Sequence, residues 1–421
     1  MKLLVASIDA MFSSDVDILK SQEPWQRYDP HTVVQRDVEP VYPALTYPCH
    51  ASLLSGNLPL HHGVYQNTVF DFSKRSPDWW WDYGLIQGGT IFEDMRSAGL
   101  RVASVFWPVT ANAPVDYLIG EIWSKVVPSI DVMEQTSSHN INHIIERYRD
   151  RLDFDDKYRQ DDYAVRCAMD IIDEFDPDVF FIHFCVVDQM RHRYGLHHPK
   201  VTEALTACAQ WVDRIAEAAT RRNGGRIPGV MLLGDHGHLP VGQMLHFNTV
   251  FQQRGWFDPE HPDDYAVYCH EAGVSAQIYV RAAALRLPLE ALFAGMIDEG
   301  RLLYMFDKAA MREQGVDGPF DYVLEAADGY AISGSVTPEE ITPVYSKCGA
   351  SEIGQHGHHP SRGDKPPIVL YHPQIAQRQT GFGGSVTDLA PTLLQMLDIP
   401  SSRKMDGKAL PTMVRAYRSV T

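Results

Sequence analysis

MKLLVASIDA, residues 1–10, decides how the rest of the chain is read. The run Leu3–Ile8 is apolar without alternation and stops at a carboxylate, Asp9. Such a run suits a strand buried on both faces of a parallel sheet, with Asp9 left at its carboxyl end. A secretory leader is the competing reading, but six residues before a charge are too few for its apolar core of roughly 7–15 residues. No stretch approaches the about 20 apolar residues that span a bilayer. A soluble, cytoplasmic chain with no membrane partner is expected.

Runs of the same kind recur at Val102–Trp107, Val179–Val187, Val230–Leu233, Ala276–Val280 and Ile368–Tyr371, each before a polar or glycine-containing turn. Between them, apolar residues return at helical spacing. Ala164, Ala168, Ile171, Ile172 and Phe175 share one face, as do Val201, Leu205, Cys208, Val212, Ile215 and Ala219. Asp388 is placed to cap a last helix carrying Leu389, Leu393, Leu394 and Leu397. Strands alternating with helices predict an α/β sandwich, with a mostly parallel central sheet flanked by helices. The chain reads as a single catalytic domain over 1–421. Within it, about 251–344 has mixed signals and is expected to form a smaller inserted cap or sub-domain.

A formal charge of -17, from 54 acidic against 37 basic residues, opposes nucleic-acid polymers and anionic membranes as partners. Small anionic substrates stay open, because a bound metal pair reverses the sign locally. Six cysteines without a CxxC pair read as buried, reduced thiols.

Four segments put a polar group where an open α/β sheet binds ligands, outside the carboxyl ends of its strands. Asp9 is the first; taken alone it is equally a turn residue. Thr46, in YPALTYPCHASLLSG (42–56), precedes a helix start, where free N–H groups and the dipole favour a developing alkoxide or a phosphate. Its bland reading is an N-cap. Asp188 and His192, in VVDQMRHRYG, share a face if the segment makes a helical turn, and together suit a borderline ion such as zinc; an exposed loop pair is the alternative. Asp235 and His236, in LLGDHGH, are flanked by Gly234 and Gly237, whose backbone freedom would turn both side chains to one centre. His356, in GQHGHHP, is a further candidate; among 19 histidines any single one is more often structural. Together these residues divide into two sets for two ions.

The ordered set resembles the alkaline phosphatase superfamily, in its type I phosphodiesterase/nucleotide pyrophosphatase branch. YPALTYPCHASLLSG followed by HHGVYQN is similar to that family's nucleophile segment. Asp9 in SIDA, the Asp188-x-x-x-His192 element, the Asp235-His236-Gly237 element and His356 match its metal-binding positions, and TDLAPTLLQMLDIP…MDGKAL its last helix and strand. The resemblance implies an alkaline-phosphatase-like fold and a nucleophilic Thr46 oxygen. It implies one ion on Asp9, Asp235, His236 and Thr46, and another on Asp188, His192 and His356. Asn67 would bind substrate by donating to a non-bridging phosphate oxygen. The ions are expected to be zinc, with manganese or iron as alternatives. Two departures bear on specificity: Ala10 and Met11 after Asp9, and His238 where many relatives have methionine.

The expected activity is metal-dependent hydrolysis of phosphodiester or nucleotide pyrophosphate bonds through a phosphothreonine, on a small phosphate-ester substrate such as a nucleotide. No third-metal pattern stands near these motifs, and His50 sits where a basic clamp for a monoester might have been. A phosphomonoesterase, phosphonate hydrolase or phosphomutase of the same superfamily is the alternative, and a non-catalytic metal-binding module the most distant one. A sulfatase is excluded, because Thr46-Tyr47-Pro48-Cys49-His50 lacks both its nucleophile and its arginine. The run Trp79–Trp81, with Phe70 and Phe72 before it, offers stacking surfaces, although core packing is the better reading for most of them.

Overall fold

The structure, a computed structural model, describes residues 1–70, 78–124 and 128–420. Its strands are β1 (Leu3–Ile8), β2 (Thr32–Arg36), β3 (Val102–Val105), β4 (Tyr117–Ile119), β5 (Val179–Phe184), β6 (Gly229–Leu233), β7 (Leu239–His246) and β8 (Val267–Ala272). There follow β9 (Ser275–Val280), β10 (Leu302–Phe306), β11 (Tyr322–Ala326), β12 (Gly329–Ser333), β13 (Ile341–Pro343), β14 (Ile353–Gln355), β15 (Ile368–Tyr371) and β16 (Gln379–Phe382). Eight of them make the central sheet, in the order β16–β2–β15–β6–β1–β5–β3–β4. Neighbours run parallel except at β15, which is antiparallel to both β2 and β6.

Both faces of this sheet are covered, which is why β1 shows no alternation. Leu4, Ala6 and Ile8 join one core, under the helices Lys157–Phe175 and Pro199–Arg222. Leu3 and Val5 join the other, under Thr46–Ser55 and Leu389–Met396. Each of these buried Leu, Val and Ile side chains contributes about 1.5–3 kcal/mol. Register then sets the site. Ile8 lies opposite Phe184 and Ser7 opposite Leu233, so Asp9, Cys185 and Asp235 emerge close together at one edge.

Some elements differ from the expectation. β3 ends at Val105 because Phe106 takes a φ of 56°, which turns the chain out of the sheet. β5 ends at Phe184: the Asp161 carboxylate accepts from the Cys185 and Val186 amides, at 3.1 and 3.0 Å, and Val186 starts the helix Val186–Tyr194. Asp388 precedes Leu389–Met396, but its carboxylate reaches back to the Ser385 amide at 2.9 Å and does not cap that helix. The run Ala276–Val280 lies in β9, which belongs to a separate antiparallel sheet, β10–β11–β9–β8, with its own core around Phe247, Phe293 and Leu324. This sheet lies within the stretch expected to be a cap. β12 and β13, also from that stretch, pair instead with β7, as does β14.

The β8–β9 hairpin grips the loop after β14. The Val274 amide donates to the His356 carbonyl at 2.8 Å. A Cβ on Gly273 would stand 2.3 Å from that carbonyl oxygen, and one on Gly357 would stand 1.7 Å from the Ala272 carbonyl oxygen. Both residues have positive φ, so neither position accepts a side chain.

Candidate metal centre

Thr46 is the first residue of the helix Thr46–Ser55, and Leu45, not Thr46, takes the cap position. At that place its N–H has no intrahelical acceptor and its hydroxyl stands at the positive end of the helix. The next amide, of Tyr47, donates to Asn67 Oδ1 at 2.9 Å. With that oxygen engaged, the amide nitrogen of Asn67 is left as a donor beside Thr46. One turn on, His50 bridges the Ser7 hydroxyl (2.9 Å) and the Thr46 carbonyl (2.8 Å). Burial lowers its pKa to about 3, so it stays neutral and is no basic clamp.

The first donor set converges on the Nε2 of His236. Thr46 Oγ1 lies 3.2 Å from it, Asp9 Oδ1 3.2 Å and Asp235 Oδ2 3.3 Å. One nitrogen cannot serve three oxygens. Its hydrogen bond goes to Thr46, and Asp9 Oδ1 and Asp235 Oδ2 stay buried without a hydrogen-bond partner among the described residues. Orphaned, buried carboxylate oxygens are costly unless a cation lies among them. Burial and the neighbouring Asp9 raise the Asp235 pKa. Burial would lower that of His236, but Asp235 and Asp9 lift it to about 9. Gly234 and Gly237, expected to supply backbone freedom, do not adopt positive φ. They permit close approach instead: a Cβ would come within 2.2 Å of the Met11 carbonyl oxygen at Gly234, and within 1.7 Å of that of Asp364 at Gly237.

The second set gathers around Asp188, on the helix Val186–Tyr194. His192 Nε2 is 3.2 Å and His356 Nε2 4.0 Å from Asp188 Oδ1. The His192 Nδ1–H donates to the Gly354 carbonyl at 2.9 Å, which fixes the ring and leaves Nε2 free for a metal. His238 lies in this set too, with Nε2 2.8 Å from Asp188 Oδ1. Burial would raise the Asp188 pKa, but His192 and His238 hold it well below the usual carboxylate range. Burial and the neighbouring His236 push the His356 pKa down, which favours the neutral, ligating form. The helix is anchored by a buried pair, Arg191 to Asp15 at 2.5 Å.

Between and above the two sets opens a cavity of about 670 Å3, lined by Asp9, Thr46, Asn67, Asp188, His192 and His356. Of the tryptophan run only Trp79 lines it, its ring tilted against those of Tyr47 and Trp123; Trp80 packs against Tyr65 and Trp81 against the core. Phe70 packs on Tyr279, and Phe72 lies outside the described residues. Sequence reasoning missed Trp123, Lys157, Glu121 and Cys185, which also line the cavity. Glu121 carried the same signal as Asp9, a carboxylate just after a strand, but β4 is too short to stand out.

Residues 29–349 match the type I phosphodiesterase/nucleotide pyrophosphatase family. The chain belongs to that family, whose members are hydrolytic enzymes. Among curated relatives, bovine ectonucleotide pyrophosphatase/phosphodiesterase family member 3 is 25% identical over 211 residues, 48% of this chain and 20% of that protein. An uncharacterised pyrophosphatase/phosphodiesterase of Schizosaccharomyces pombe is 21% identical over 236 residues, 52% of this chain and 42% of that one. The chain thus spans less than half the length of these relatives. Murine ectonucleotide pyrophosphatase/phosphodiesterase 5 superposes with a TM-score of 0.67 at 18% identity, covering 97% of this chain and 98% of that one. An inactive threonine-to-alanine variant of the murine protein, in complex with AMP, gives 0.68 at 17%, with 97% of each chain covered. At such identity the likeness shows the fold, which is alkaline-phosphatase-like.

Proposed function

We propose that this chain hydrolyses phosphodiester and nucleotide pyrophosphate bonds through a phosphothreonine on Thr46. The observation that carries the reading is the meeting of the Thr46 hydroxyl with Asp9, Asp235 and His236 at one point. Asp9, Asp235, His236 and the Thr46 oxygen would hold one divalent ion, and Asp188, His192 and His356 a second. Zinc suits both mixed sets best, with manganese or iron as substitutes. When bound, such a pair would lower the hydroxyl pKa of Thr46 and stabilise the leaving oxygen.

The chain's own groups do the rest. Thr46 Oγ1, its proton passed to solvent, attacks phosphorus in line, the bond to the leaving oxygen breaks and that oxygen takes up a proton from solvent, and the phosphoryl group stays on Thr46. The Thr46 N–H and the Asn67 amide donate to the equatorial oxygens, where charge builds up. Water then attacks the phosphothreonine from the face the leaving group has vacated, the bond between phosphorus and Thr46 Oγ1 breaks, a proton returns to Oγ1 and the phosphate product leaves. His238 acts through Asp188: a catalytic site keeps a coordination position open, so three ligands with an orienting fourth side chain fit better than a closed set of four. Tyr47, Trp79 and Trp123 offer aromatic faces to a nucleoside, in keeping with the AMP complex of the murine relative.

The test is a panel of aryl phosphodiester, aryl phosphomonoester, nucleotide pyrophosphate and aryl sulfate, run on metal-loaded protein beside Thr46→Ala. Diester and pyrophosphate turnover that drops at least about 10^3-fold in the variant supports the reading. Equal activity in parent and variant removes the nucleophile.

A further inference from the structure

A second buried cluster lies one strand along from Asp9. Glu121 follows β4, His183 sits within β5, and Cys185 comes directly after β5. His183 Nδ1 is 3.1 Å from Glu121 Oε1, Cys185 Sγ is 3.3 Å from the same oxygen, and Sγ is 3.7 Å from Nδ1. A tetrahedral zinc ion, with bonds of about 2.0–2.1 Å to nitrogen or oxygen and about 2.3 Å to sulfur, sets donor separations of about 3.3–3.6 Å. The three separations bracket that range.

Hydrogen bonding among the three leaves the cluster unfinished. Glu121 and His183 are each 1% exposed, yet Glu121 Oε2 and His183 Nε2 have no hydrogen-bond partner among the described residues. Nε2 instead stands 3.4 Å from Asp9 Oδ2. In the tautomer with its proton on Nε2, facing Asp9, the His183 ring turns the lone pair of Nδ1 toward the carboxylate of Glu121 and the sulfur of Cys185. Three electron-rich atoms then face one another, and only a proton or a cation between them settles the arrangement. Among the described residues the ammonium that lines this part of the cavity is committed elsewhere: Lys157 Nζ donates to Gln160 Oε1 at 2.9 Å, lies 3.4 Å above the Trp123 ring, and makes no ion pair with Glu121. Glu121 and Cys185 also line the cavity that contains Thr46.

The geometry points to a further divalent-cation site on Glu121 Oε1, His183 Nδ1 and Cys185 Sγ, zinc by its donor chemistry, with its fourth position open to the cavity. One thiolate, one imidazole and one carboxylate form a borderline-soft set that selects zinc over magnesium or calcium. Three protein ligands leave that fourth position to water or to an anionic oxygen of a ligand in the cavity. His183 joins this cation to the neighbouring donor set, because its other nitrogen faces Asp9. The site does not depend on the two-ion reading of Thr46, since it shares no donor atom with it.

Metal-depleted full-length chain reloaded with cobalt(II) tests this. The expected result is a thiolate-to-cobalt charge-transfer band in the near ultraviolet, absent in Cys185→Ser and kept in Asp188→Ala. Elemental analysis should find one zinc fewer per chain in Cys185→Ser than in the parent. In Glu121→Gln, which keeps the size of the side chain, zinc should bind this site at least about tenfold more weakly. A parent spectrum without the band, or a band that survives Cys185→Ser, overturns the proposal, and the parent spectrum decides even if a variant fails to fold. Loss of turnover in Thr46→Ala or of metal in Asp188→Ala does not touch this band, so failure here is distinct from failure of the two-ion reading.

Discussion

The two donor sets around the cavity are built from opposite materials. The one beside Thr46 holds two carboxylates, one imidazole and a hydroxyl, all buried and all at sheet ends or a helix start. The one around Asp188 holds one carboxylate among three imidazoles, on a helix and two loops, and its Asp188 and His192 are partly exposed. In the first set carboxylates crowd each other, so Asp235 and His236 are both raised and the set needs positive charge. In the second, imidazoles surround one carboxylate and hold its pKa down. In the proposed chemistry the acid-rich set would draw a cation to the Thr46 hydroxyl, because its crowded carboxylates attract positive charge. An imidazole-rich set is less charged and more open, which suits a leaving group that must enter and depart.

Asp235→Asn should give the largest effect, about 10^3-fold or more in kcat/KM on an aryl phosphodiester together with loss of one metal per chain, because it removes charge from the set that lacks compensation. A loss no greater than that of His238→Met would erase the contrast between the sets. Next comes Arg191→Met, which strands the buried Asp15 carboxylate under the helix that bears Asp188 and His192. Urea unfolding should show a cost of about 3–5 kcal/mol; a change under about 1 kcal/mol would mean that the pair does not anchor the second set.

His238→Met should weaken metal binding at the second set by about 10- to 100-fold, read by competition with a chelator, through loss of the 2.8 Å contact to Asp188. Unchanged affinity would return His238 to the role of filler.

The smallest effect is one of pH. Burial raises the Asp161 pKa to about 7, against the pull of the Cys185 and Val186 amides. The folded chain therefore binds this proton more tightly than the unfolded one. Its contribution is complete below the ordinary value of 3.8 and is lost as pH rises toward about 7. Asp161→Asn should flatten the fall of Tm across that window relative to the parent; parallel Tm–pH curves would show that the carboxyl does not titrate there.

Much of this was legible because the sheet advertises itself. A strand covered on both faces must be apolar throughout, so a carboxylate that follows it is conspicuous, as with Asp9 directly after β1, Asp235 just beyond β6 and Asp188 in the helix that follows β5. Where a strand is short or half exposed, as in β2 and β4, the signal fades, and Glu121 faded with it. His183 was hidden for the opposite reason: inside VFFIHF it reads as one polar letter in a core run. The end of β5 was misplaced because the cap that starts the next helix comes from Asp161, 24 residues earlier. β9 was assigned to the wrong sheet because an apolar run reports burial, not which neighbours provide it. Gly234 and Gly237 were correctly weighed as special, but for the wrong property, since crowding by a distant carbonyl leaves no mark in local sequence.

The β8–β9 hairpin holds the His356 loop through a backbone bond and two glycines with no side chain to yield. Mechanically it is a stiff bracket between the second sheet and the His356 side of the cavity. A load on that sheet, whether from an attached neighbour or an engineered tether, is delivered to His356 with little slack.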